Sequence, residues 1–113
     1  EMRNEINFYY RKYLNNAQFH PKDYQSAHAL FSIVLGSNIK RDDLINRLSI
    51  NKIPSVIYYK FPIHLMKAFK YLGYKTGSLT VSENLSNSIL SLPMHPYLRK
   101  TEIDFIIETI QKK

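Results

Sequence analysis

Three short apolar runs, at residues 27–35, 55–59 and 89–94, are set apart from one another by stretches patterned for helix. Strands separated by helices build a layered α/β domain, because each strand needs a sheet partner and each helix a face to cover. The expected fold is therefore α/β, a small three-stranded sheet packed with about five helices. At 113 residues and 44% hydrophobic content, the chain is one domain's worth with a modest single core.

The helical stretches carry their own signals. Met2, Ile6, Tyr9, Tyr10 and Tyr13 follow the spacing of one helical face. No capping residue precedes Met2, so the first helix reads as entered partway and the chain as cut from something longer. Residues 15–24 are polar and contain a proline, as a loop would. In the 27–35 run, Ala29, Phe31, Ile33 and Leu35 alternate with His28, Leu30, Ser32 and Val34. A turn is expected at 36–38. Asp42 and Asp43 suit the positive end of a helix over 41–50, with Leu44, Ile45 and Leu48 as its stripe.

Ile53 and Pro54 end that helix and lead into Ser-Val-Ile-Tyr-Tyr, residues 55–59, a strand by composition. Leu65, Ala68, Phe69 and Leu72 then predict an amphipathic helix stopping at Gly73, the expected left-handed cap. Thr80 and Glu83 have capping-box spacing ahead of Leu85 and Ile89. Pro93 makes 89–94 an edge strand, since proline cannot donate to a ladder. Ile103, Ile106, Ile107 and Ile110 stripe a last helix starting near Thr101.

Two tyrosines, a lysine and a histidine (Tyr58, Tyr59, Lys60, His64) fall within seven residues at the exit of the middle strand. Binding groups often sit at such exits. Alternation sends Tyr58 and Tyr59 to opposite faces, one inward and one to a cleft or solvent. His64 would ordinarily bond to backbone at a helix start, and His95, between two prolines, would be a turn residue.

Between Leu44 and Ser82 there are six Lys or Arg and no Asp or Glu, within a net charge of +7. Such a stretch attracts anions: nucleic acid, acidic lipid or a phosphorylated small molecule. The same charge is equally that of a solvated basic face. A basic nucleic-acid- or protein-binding module is the rival this supports. It needs Lys67, Lys70 and Lys75 with exposed aromatics on one convex surface, and no helix-turn-helix or RNA-binding pattern is present.

Other chemistries lose ground. There are no cysteines, which excludes disulfides and thiolate metal sites. The four histidines (His20, His28, His64, His95) form no pair at metal-ligand spacing, and no metal is expected. The chain has neither a glycine-rich phosphate loop nor a nucleophile elbow. No apolar run approaches the length of a membrane span, and the opening residues lack a secretory signal.

Collinear motifs point further. Ser26-Ala27-His28-Ala29-Leu30-Phe31 is followed by Arg41, Leu44 and Leu48, then by Ile53-Pro54-Ser55 and Tyr59, and then by Pro62 and His64. Leu72-Gly73-Tyr74, Glu83 and Leu92-Pro93-Met94-His95-Pro96 complete the series. In this order they resemble the C-terminal part of the DegT/DnrJ/StrS family of sugar aminotransferases, which are pyridoxal-phosphate enzymes of the aspartate-aminotransferase fold type. The resemblance implies a small C-terminal domain (25–113) preceded by a truncated linking helix (1–16). The large domain, with the Schiff-base lysine and the cofactor phosphate site, would be missing and the segment inert alone.

It also implies that Tyr58, Tyr59, Lys60, His64 and His95 lie on or near the substrate side of the cleft, and that Tyr59 and His64 share an exposed concave face. A nucleotide-linked keto sugar and an amino-acid donor, glutamate by family habit, would be the substrates of a cytoplasmic homodimer. No nucleic acid or membrane partner is implied. Tyr58-Tyr59 stands where many members have His-Tyr and is similar to members acting on 3-keto sugars. Lys60 replaces a common proline.

Overall fold

A computed structural model describes residues 1–18, 23–37 and 39–112. The chain is mixed α/β, and its order of elements follows the periodicities. Helix α1 (Met2–Tyr13) leads to strand β1 (Phe31–Val34) and helix α2 (Arg41–Ile50). Two short 3₁₀ helices (Ile63–Leu65 and Lys67–Leu72) precede α3 (Thr80–Ser88), β2 (Ile89–Leu92) and α4 (Lys100–Gln111). His20, Pro21 and part of the expected 15–24 loop lie outside the described residues, as does Asn38 of the expected turn.

The sheet has two full strands, antiparallel, with Phe31 opposite Leu92 and Val34 opposite Ile89. The third expected strand is reduced to one point, Val56, which exchanges backbone bonds of 3.1 and 2.8 Å with Ser91. Pairing stops there because Tyr58 and Tyr59 already turn the chain. Ala17 bridges Ile33 on the other side. β2 is therefore central rather than an edge. Ser91 is paired on both sides, and Pro93 falls just past the strand, where no ladder donor is lost. The first strand is also shorter than its apolar run, beginning only at Phe31, with His28 at φ 45° ahead of it.

The core lies where α1, α2 and α4 meet this sheet. Tyr10, Ile33, Leu44, Leu48 and Leu90 are fully buried. Tyr10 stacks on Phe31 with ring centroids 4.6 Å apart and donates from its hydroxyl to the Pro93 carbonyl at 3.1 Å. α1 is fastened to α4 by the Tyr9 hydroxyl, which donates to Asp104 Oδ1 at 2.6 Å. α2 is fastened to the end of α4 by Arg47, which reaches the carbonyls of Ile110 and Lys112. That places a cation on the orphan acceptors of a helix C-terminus.

The stretch after Val56 departs most from expectation. Residues 65–72 do not make an α-helix, because Met66 is extended (ψ 144°) and splits the segment into two 3₁₀ pieces. Gly73 does end it in the left-handed region at φ 76°. Leu65 and Leu72, intended for the stripe, are solvent-exposed. At α3 the cap residue is Leu79, with no side-chain cap from Thr80, and Val81 is exposed.

Candidate functional site

The structure sorts the five sequence-named residues into four places. Tyr58 and Tyr59 sit in the turn beyond Val56, joined by a cis peptide, with rings edge to face at 5.7 Å. Both are exposed, so neither is the inward core aromatic that strand alternation predicted. Lys60 is exposed and borders a cleft of about 260 Å³ together with Arg41, Thr76 and Glu83. His95 is exposed too, but in a separate hollow of about 350 Å³ between Pro54 and Glu102 at the start of α4. A larger hollow, about 780 Å³, lies between the start of α1 and residues 25–27 and holds none of the five.

His64 is the correction. It was expected on an exposed concave face with Tyr59, yet its side chain is 5% exposed. The reason is a partner nineteen residues away. His64 Nε2 lies 3.1 Å from Glu83 Oε1, and the imidazole meets the Tyr74 ring edge-on at 5.9 Å. Burial of an imidazole nitrogen is tolerated when it has a hydrogen-bond partner, and Glu83 supplies one to Nε2.

Glu83 is the residue that sequence reading undervalued. The sequence marks it by capping-box spacing and as a motif glutamate, but carries no signal of a site there. Its two carboxylate oxygens share the Gly77 N–H at 2.9 Å each, and Oε1 also accepts from Leu79 N–H at 3.2 Å. The Gly77 amide chiefly, with His64 and Leu79 adding to it against some desolvation, holds this carboxyl below its ordinary pKa. A carboxylate in the first helical turn also suits the helix dipole.

Arg41 closes the other side of the Lys60 cleft. It reaches across from α2 to donate to the Ser86 carbonyl at 2.5 Å and the Ile89 carbonyl at 3.5 Å, while its Nε is buried with no hydrogen-bond partner. The cleft thus carries two cations and one carboxylate, a balance that favours an anionic or hydroxyl-rich ligand.

Among the described residues, no three His, Asp or Glu side chains gather where a metal ion could bind. A resident pyridoxal phosphate needs a desolvated lysine to form its imine. Every described lysine is exposed, so the described residues do not make that cofactor's site. No described helix is long and apolar enough to cross a membrane.

Comparison with known proteins agrees in one direction. A relative from Geobacillus stearothermophilus, called a pleiotropic regulatory protein, is 34% identical over 90 residues, 80% of this chain and 24% of its own. The dTDP-3-amino-3,4,6-trideoxy-alpha-D-glucose transaminase of Micromonospora megalomicea is 37% identical over 84 residues, 74% of this chain and 22% of its own. The chain thus spans about a quarter of the length of these curated relatives. In three dimensions it superposes on a DegT DnrJ EryC1 StrS aminotransferase from Brucella abortus with a TM-score of 0.82. That match has 41% identity and covers 97% of this chain and 30% of that one. Residues 1–111 match the model of the DegT/DnrJ/EryC1/StrS aminotransferase family, and the chain belongs to that family.

Proposed function

We propose that this chain is the small C-terminal domain, residues 25–113 with the linking helix 1–16, of an enzyme that moves an amino group onto a nucleotide-linked keto sugar. The observation that carries the reading is the family match over residues 1–111 together with the 97% superposition on a family structure. The share of its relatives that the chain spans supports a large domain elsewhere in the protein, which would hold pyridoxal phosphate. That cofactor, when bound, serves as the carrier of the amino group.

The part played by this chain is recognition. Tyr59 and Lys60, with Tyr58 beside them, meet the sugar nucleotide. The basic stretch that contains Lys60 suits its diphosphate, because cations hold phosphate through charge-assisted bonds. His64 supports them from behind, and His95 lines a neighbouring surface. In this reading the keto carbon is at position 3, supported by the 3-amino sugar in the name of the Micromonospora relative and by the Tyr58-Tyr59 pair. Closure of this domain over the sugar would exclude water. Glutamate as donor, a cytoplasmic homodimer and a place in glycan-precursor synthesis follow from the same reading.

The test is spectroscopic and chemical, on the full-length protein with pyridoxal phosphate, glutamate and a panel of 3-keto and 4-keto nucleotide sugars. A cofactor band that bleaches with glutamate and returns with a 3-keto sugar supports the reading. Return with 4-keto sugars alone moves the keto position, and failure to bind pyridoxal phosphate overturns the reading.

A further inference from the structure

We propose that His64 and Glu83 act together as positioning residues, clasping the 60–64 connector to the 73–79 turn and thereby setting the angle at which Tyr59 and Lys60 meet the sugar nucleotide. The inference rests on the substrate-side reading of that connector given above. Its physical basis is how the turn is held. Every residue from 71 to 80 is exposed, so apolar burial does not fix its shape. Gly73 and Gly77, at φ 76° and 88°, bend it through conformations that only glycine adopts cheaply. The side-chain bonds that tie the turn to α3 converge on one carboxylate, which takes the amides of Gly77 and Leu79.

The same carboxylate takes His64, the last residue of the connector that begins at Lys60, and the His64 ring is braced by Tyr74 from the turn. Connector and turn are therefore joined through a shared acceptor and a shared ring. Both also border the Lys60 cleft, Lys60 from the connector and Thr76 from the turn, with Glu83 between them. Neither His64 nor Glu83 needs to touch substrate for this role. Because a small misplacement of binding groups is costly, a loosened clasp shows first in acceptor binding.

The experiment compares Glu83→Gln, His64→Leu and His64→Gln in the full-length enzyme with its cofactor. It reads the KM for the keto sugar nucleotide, the half-reaction with the amino donor, and amide exchange of residues 74–79. Glu83→Gln and His64→Leu should raise the sugar KM about tenfold, the scale of a lost charge-assisted hydrogen bond, change the donor half-reaction by less than that and speed exchange at Gly77 and Leu79. His64→Gln, whose amide nitrogen can reach the same carboxylate, should recover most of the sugar affinity.

A purely structural role would lower the melting temperature with the sugar KM unmoved, and that result overturns the proposal. So do amides at 77 and 79 that stay as protected in Glu83→Gln as in wild type. A wild-type enzyme inert with every keto sugar nucleotide instead overturns the transaminase reading, and the positioning role with it. The wild-type assay tells the two failures apart.

Discussion

The chain has two regions with similar apolar periodicity and opposite fates. In the first, built from α1, β1, α2, β2 and α4, the periodic residues go inside: Tyr10, Ile33, Leu44, Leu48, Leu90 and Ile106 form one cluster. In the second, between Ile53 and Ile89, no hydrophobic residue is buried, and the buried groups are polar, His64 and Ser86. Periodicity says which residues share a face, but not whether anything lies against that face. The first region is held by apolar packing. The second is held largely by hydrogen bonds, several of them converging on Glu83, with apolar groups such as Phe61, Tyr71 and Leu72 left facing outward.

The largest effect should come from breaking the packed region. Leu90 is fully buried in the central strand. Leu90→Ala removes three buried carbons and leaves a cavity that the sheet, paired on both sides at the next residue, can hardly close. A loss of about 2–5 kcal/mol is expected in chemical denaturation. A loss under about 1 kcal/mol would mean that this region is no better packed than the other.

A polar contact inside the packed region sharpens the contrast. Ser32 and Ser91 face each other across the strands with their hydroxyl oxygens 2.8 Å apart, and Ser91 is 3% exposed. Ser91→Ala should cost about 1 kcal/mol by leaving its neighbour unpaired. The double variant Ser32→Ala/Ser91→Ala should cost less than the sum of the two single ones, because no orphan remains. Strict additivity would show that the two hydroxyls are satisfied independently.

In the second region the sensitive variable is acidity. The Glu83 carboxyl is held low, first by the Gly77 amide. A group whose pKa is depressed on folding contributes stability that is present above its unfolded value, about 4.3, and is lost as the pH falls through the folded one. Protection of the Gly77 and Leu79 amides should therefore be full at neutral pH and erode only in the acid range below that value. Glu83→Gln should abolish this dependence. Erosion near neutrality would show that the Glu83 carboxylate does not control the turn.

What could be read in advance follows the same division. α2 spans residues 41–50 as expected, Gly73 caps in the left-handed region, and α4 begins one residue before the expected Thr101. Each depends on neighbours within a turn or two. Residues 55–59 have the β-branched and aromatic composition of a strand, but strand formation needs a partner, and only Val56 finds one. Burial of His64 depends on Glu83, and the exposure of Tyr58 depends on a turn after Val56. Neither spacing is periodic, so no local pattern announces them. The family motifs include both His64 and Glu83, but not the contact between them.

The smallest effect is the most informative about the second region. Leu72 is 52% exposed, at the end of the second 3₁₀ helix. Surface substitutions away from special features change stability by at most about 0.5 kcal/mol, and Leu72→Ala in this chain should do no more. In the longer enzyme proposed above, the same substitution asks a different question. If the stripe of Leu65 and Leu72 is covered there, Leu72→Ala becomes a core truncation and costs about 2 kcal/mol or more. Equal, near-zero costs in both settings would mean that the stripe faces water throughout, and that this region relies on its polar clasp alone.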